Sequence, residues 1–174
     1  MRTIQLLAFF SVFILAGCSS VYVNTDYDKR ANFSQYKTFA YLKSGIDKAE
    51  ISDLDKRRIL YALDEALASK GFTKSENADI LISFFTKERE RVDYYNNWGW
   101  NMGWNPWWGG FNYSMPITST EGTLIIDVID AKTKELIWQG KGSGYLTQDV
   151  ERKDARIKEF VSKILEKYPP QIKN

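Results

Sequence analysis

The chain has 174 residues, with 24 Lys and Arg against 22 Asp and Glu for a formal charge of +2, one Cys and no His. That length suits one domain, and a composition 44% hydrophobic and 15% aromatic supplies a core, which excludes wholesale disorder. Balanced charge leaves no basic footprint for nucleic acid, the lack of His excludes Ser-His-Asp and Cys-His catalysis and any His-bearing zinc site, and a lone Cys excludes an internal disulfide or a multi-cysteine metal centre.

Arg2 precedes an apolar run, Leu6–Ala16. It is too short for a spanning helix of ~20 residues and suits the centre of a signal peptide. The run ends in Leu15-Ala16-Gly17-Cys18. This resembles the lipobox of bacterial lipoproteins, in which small residues precede a Cys that is acylated and becomes the first mature residue. The resemblance implies that residues 1–17 are cleaved as a signal peptide and that Cys18 carries palmitate and its companion acyl chains. Because Ser19 follows the Cys where an inner-membrane retention signal would have Asp, it also implies the outer membrane, with the domain in the periplasm. Residues 18–20 then form the acylated Cys and a short tether.

Residues 21–174 are expected to form a single domain. Val21–Tyr27 is β-branched and aromatic, a first strand, and Tyr36–Leu42 a second after the polar stretch 28–35. Residues 44–51 read as a loop. Ser52 as N-cap, Asp53 and Asp55 in the first turn, Ile59, Leu60, Leu63, Ala66 and Leu67 at helical spacing and Gly71 as the stop predict a helix over 53–70. Ala78–Val92 opens as an apolar run and turns charged from Lys87, which predicts a central strand with one end projecting from the core. Thr123–Ile129 is another such strand. A turn over 130–133 leads to its hairpin partner, Glu135–Leu146, where Gly140, Gly142 and Gly144 leave one face bare for a close approach. Ile157, Phe160, Val161, Ile164, Leu165 and Tyr168 form a stripe at helical spacing, predicting a helix over 152–168 that Pro169-Pro170 ends. This order predicts an α+β two-layer sandwich: a predominantly antiparallel sheet of about five strands with two helices on one face.

Tyr27-Asp28 followed by Asn32-Phe33-Ser34-Gln35-Tyr36-Lys37-Thr38-Phe39-Ala40-Tyr41 resembles the opening motif of the bacterial lipoprotein family known as domain of unknown function 4136. The likeness continues in Ala78–Ile82, Gly122–Asp127, Leu136–Gly140 and Ile164–Pro170. It spans nearly the whole mature chain, with Tyr41 standing where the family often has Trp. The family implies an envelope lipoprotein and assigns no catalytic residues.

Few residues are left for chemistry. Asp26 and Asp28, two apart, share one face of an extended strand and form a carboxylate pair that could serve acid–base work or Ca²⁺, or simply make turn hydrogen bonds at the strand end. Asp127 interrupts an apolar strand, so it must be paired, exposed or protonated; sharing a face with Thr123, Ile125 and Ile129, it is expected on the helix-free side, in water. The alternating charges Lys87–Arg91 read as a solvated or cross-paired face. No residue pattern calls for a cofactor or a metal, and the oligomeric state is not set by the sequence.

The most unusual stretch is 94–113, nine of whose twenty residues are aromatic: Tyr94, Tyr95, Trp98, Trp100, Trp104, Trp107, Trp108, Phe111 and Tyr113. No charge occurs from Tyr94 to Thr120, and 94–120 is expected to be one long loop, functional or disordered. Three readings compete. The aromatics fold back over the glycine face and complete the core; they form a recognition surface for peptidoglycan, another glycan or an envelope protein; or they contact the membrane. The function expected is that of an outer-membrane-anchored periplasmic binding or envelope-structural module. The alternative is an enzyme acting on envelope glycans through carboxylates.

Overall fold

A computed structural model describes residues 21–95, 115–147 and 149–170 and, of residues 90–95 and 115–119, the backbone alone. In chain order the elements are β1 (Tyr22–Tyr27), a 3-10 turn (Phe33–Gln35), β2 (Thr38–Tyr41), a short helix α1 (Lys43–Ile46), α2 (Asp53–Ser69), β3 (Thr73–Lys74), β4 (Ile80–Tyr95), β5 (Met115–Asp130), β6 (Leu136–Tyr145) and α3 (Val150–Leu165). The strands form one sheet in the order β1-β6-β5-β4-β2-β3. Pairs β1–β6, β6–β5 and β5–β4 are antiparallel, whereas β2 runs parallel to both β4 and β3. The fold class is therefore α+β as expected, but the sheet is mixed and has six strands.

The departures have local causes. The two-residue β3 is exposed and carries no hydrophobic pattern; its pairing follows from the chain leaving α2 through Gly71, whose φ of +84° favours glycine. Strand β2 is parallel to β4 because α1 and α2 intervene, and such a crossover returns a strand in the same direction. Helix α1 lies where a loop was expected. It contains Gly45, which packs so tightly on β4 that a Cβ there would overlap the Ser83 hydroxyl. Part of the expected loop 94–120 is strand at both ends: β4 continues to Tyr95 and β5 begins at Met115.

The core is a single cluster on one face of the sheet. Alternate residues Ile80, Ile82 and Phe84 of β4 and Leu124, Ile126 and Val128 of β5 meet Ile59, Leu63 and Leu67 of α2 and Phe160, Val161, Ile164 and Leu165 of α3. Alternation in the strands and 3.6-residue spacing in the helices place all of these on facing surfaces. Helix α2 is capped by Ser52, whose hydroxyl accepts from Asp55 N at 3.1 Å, and α3 by Asp149, which accepts from Glu151 N at 3.0 Å. The glycine face of β6 is occupied by α3: a Cβ at Gly140 would overlap Ile164 and Trp138, and one at Gly142 would lie 2.8 Å from Ile164. Helix α3 makes the close approach at Gly140 and Gly142; the aromatic residues that were the other candidates for this face, at 96–114, lie outside the described residues.

The family-like motif organises one end of this sheet. Asn32 caps the 3-10 turn, Phe33 and Tyr36 are buried, and Phe33 meets Tyr168 edge-on at 6.0 Å. The Tyr36 hydroxyl donates to Asp130 at 2.8 Å, and Asp79 accepts from Lys37 N, Thr38 N and the Thr38 hydroxyl. Leu165 is fully buried at the centre of the interlayer packing. Leu165→Ala should therefore cost ~2–5 kcal/mol as a core cavity, read as a drop in the urea midpoint with an unchanged slope.

Candidate functional site

The β4–β5 ladder runs through sixteen residue pairs, from Ile80 opposite Asp130 to Tyr95 opposite Met115. Its neighbours stop much earlier. On the β5 side, β6 ends at Tyr145 opposite Glu121, and Leu146 N still donates to Thr120 O at 3.0 Å. On the β4 side, β2 accompanies only residues 80–82, with Leu42 N donating to Ile82 O. Beyond Thr120 the described backbone is a two-stranded ribbon with no third strand beside it. Oppositely charged Arg89 and Glu121 face each other at its base. The ribbon leads away from the core to residues 96–114, which hold Trp98, Trp100, Trp104, Trp107, Trp108, Phe111 and Tyr113 and lie outside the described residues. Of the aromatic set, Tyr94 and Tyr95 are placed, on the last two positions of β4.

At the root of the ribbon is a cavity of about 110 Å³ between the sheet and the starts of α2 and α3. Its apolar walls are Ile51, Ile59, Leu124, Leu146, Ile157 and Phe160. Leu146 reaches it because Gly122 has no side chain; a Cβ there would overlap Leu146. Lys153 bridges to Asp55 across the rim at 3.2 Å. Burial pushes the Asp55 carboxyl up, but hydrogen bonds from Ser52, Arg58 and Lys153 outweigh it and hold the group below the usual carboxylate range. The Thr86 hydroxyl in the same wall is buried with no partner. The volume is slightly below the ~150 Å³ apolar cavity that accepts benzene, the scale of one side chain.

The carboxylates are separate from this cavity. Register places Asp26, Gln139, Asp127 and Ser83 in one transverse row across β1, β6, β5 and β4. Asp127 lies on the face away from α2 and α3, but that face is not helix-free, since Gly45 of α1 packs on Ser83 beside it, and Asp127 is not in water: it is 9% exposed, with Gln139 Nε2 donating to its carboxylate at 2.8 Å. The correction comes from register, since Ser83 and Gln139 flank it on the neighbouring strands. Ser83 is itself 1% exposed and its hydroxyl has no partner. Asp26 and Asp127 stand two strands apart, roughly 10 Å at ~4.8 Å per strand, with Gln139 between them. Asp26 accepts from Tyr27 N at 2.9 Å. Asp28 lies just past the end of β1 and accepts from Arg30 N at 2.9 Å; the Arg30 guanidinium beside it holds its carboxyl below the usual range. Among the described residues no group of three or more acidic or Cys side chains is arranged to hold a metal ion.

Burial raises the Asp127 carboxyl above its ordinary value of 3.8, against a smaller lowering by Gln139. Folding therefore favours its protonated form, so its ionisation subtracts stability as pH rises through the window between the unfolded and folded values. Asp127→Asn keeps an acceptor for Gln139 without the charge. It should melt above the wild type at pH 7, and the two curves should converge near pH 3.

No curated protein matches this sequence. Among solved structures, a PDZ domain protein from Parabacteroides distasonis superposes with a TM-score of 0.54 at 18% identity, over 97% of this chain and 41% of that one. The PelC dodecamer from Paraburkholderia phytofirmans superposes with a TM-score of 0.52 at 12% identity, over 84% of this chain and 95% of that one. Both likenesses are of fold, and this chain spans about two fifths of the PDZ domain protein's length. The sequence profile of the domain of unknown function DUF4136 matches residues 23–170, the same span over which the motif residues Asn32, Phe33, Tyr36, Thr38 and Asp79 build the sheet, and the chain belongs to that family.

Proposed function

We propose that this chain is an outer-membrane lipoprotein, acylated at Cys18, whose periplasmic domain is a binding or envelope-structural module that presents an aromatic segment at the end of a two-stranded arm. The observation that carries this reading is the β4–β5 ribbon. Among the described residues α2 and α3 cover the sheet face that carries Ile82, Phe84 and Ile126, and the strands bearing the aromatic segment continue past the last neighbouring strand. An arm of this kind displays rigid, amphipathic Trp and Tyr surface at low conformational cost. The peptide Leu15-Ala16-Gly17-Cys18 supports the anchor. No helix among the described residues is long and apolar enough to cross a membrane.

Cys18→Ser should abolish palmitate incorporation and leave a precursor that retains residues 1–17, because the chain has no second Cys; labelling at the wild-type level would refute the anchor. Replacing Trp98–Trp108 with a Gly/Ser linker of equal length keeps loop-closure entropy nearly constant. The melting transition should stay within a few degrees of the wild type. A collapse of that transition would return these aromatics to the core, where each is worth ~3–5 kcal/mol.

A further inference from the structure

Strand β1 is antiparallel to β6, and β6 is antiparallel to β5, so β1 and β5 run in the same direction. Their register is fixed: Tyr22 lies opposite Ser143, which lies opposite Thr123. Followed backwards from that level, β1 leads toward Cys18 and β5 leads down the arm to Met115. The N-terminal end of β1 and the outer end of β5 therefore lie at the same end of the sheet.

Reach sets their relation. Four residues separate Tyr22 from Cys18, at most ~14 Å when fully extended. Eight residues of β5 separate Thr123 from Met115, about 27 Å at ~3.4 Å each. The arm is about twice as long as the tether. The same end also gathers exposed apolar side chains: Tyr22 (77% exposed), Tyr145 (47%), Leu146 (36%) and Val150 (67%), with Leu54 (62%) at the start of α2 beside the Asp55–Lys153 pair. These are five of the seven large apolar side chains exposed among the described residues.

We infer that this end of the domain docks on the phospholipid surface that holds the acyl anchor, with Tyr22, Tyr145, Leu146 and Val150 at headgroup level and the β4–β5 arm lying obliquely in the interfacial layer. The inference rests on the acylation of Cys18 proposed above and names the partner of the arm. A tether of ~14 Å keeps the domain against the headgroups, so a longer arm pointing the same way must meet the bilayer. The charge pattern matches: charges run from Lys87 to Asp93 and stop, and 94–120 has none. Open strand edges cannot enter the hydrocarbon, where their unpaired peptide groups would lack partners. The arm therefore tilts into the interface, where Trp and Tyr are favoured, and does not span.

The full-length acylated protein reconstituted in phosphatidylethanolamine–phosphatidylglycerol vesicles tests this directly. Five of its six Trp lie at 98–108, and the sixth, Trp138, is 1% exposed in the core. Lipids brominated near the headgroup should quench more than half of the Trp fluorescence, and lipids brominated near the chain end distinctly less. A polarity-sensitive probe on Tyr145→Cys should shift to the blue on reconstitution, and the same probe on Lys132→Cys, at the opposite end of the sheet, should not. Vesicle-bound, palmitate-labelled protein with unquenched Trp, or with equal response at 145 and 132, overturns the orientation, including the case in which the arm instead grips a second copy or a glycan. If palmitate labelling shows Cys18 unacylated, the anchoring proposal fails on its own, and quenching of the same chain on added vesicles still decides whether the arm binds lipid.

Discussion

The antiparallel ladder between β4 and β5 is the interaction on which the other elements depend. Its inner half alternates Ile80, Ile82 and Phe84 with Leu124, Ile126 and Val128 onto the helices, and these side chains are 0–5% exposed. Its outer half continues the same register as far as Tyr95 opposite Met115. A hairpin alone is marginally stable in water. The outer ribbon persists because the inner half, held by the whole interlayer core, sets its register in advance. The outer strands thus take their register from packing in the inner half.

The layer opposite depends on absent side chains as much as on present ones. Gly140 and Gly142 let Ile164 of α3 approach the β6 backbone, Gly122 admits Leu146, and Gly45 admits the turn of α1 against Ser83. Each contact relies on a missing Cβ: α3 and the β6–α3 connection close on the face that carries Leu124 and Ile126, whereas α1 sits on the other face, over Ser83 in the row of Asp127. The residues that mark the family (Asn32, Phe33, Tyr36, Thr38 and Asp79) act at the end away from the arm, joining β2, the start of β4 and the end of β5. The scaffold is locked at one end and extended at the other.

Elements with a periodic apolar pattern were legible in the sequence. Ile59, Leu63 and Leu67, and Phe160, Ile164 and Leu165, mark helices that the structure places within three residues of the expected bounds. What was not legible is too short, or too poor in apolar side chains, to show a period; α1 puts only Ile46 into the core. Thr73–Lys74 is exposed on both residues, and α1 spends one of its four positions on Gly45. The stretch Ile117-Thr118-Ser119-Thr120 carries the one usable signal, β-branched residues in sequence, but it lies beyond the helices and so has no hydrophobic alternation. Asp127 was misread for a different reason: its burial comes from Ser83 and Gln139, which register brings in from 44 and 12 positions away. Composition exposed the aromatic segment at once, but the two strands that carry it were visible only from their pairing.

The direction of the arm relative to the N-terminus follows from the parity of the sheet. Between β1 and β5 lies the single strand β6, and two antiparallel steps return the chain to its original direction. One step, or three, would have sent the N-terminus out of the end that holds Asp130 and the family motif, opposite the arm. Because β1 pairs with β6 over six residues, the level at which the tether leaves is also fixed, one residue pair inside the last β5–β6 glycine pair, Gly122 and Gly144. Strand direction and pairing together thus set both the end of the sheet at which β1 begins and how far β5 extends beyond it, eight residues from Thr123 to Met115.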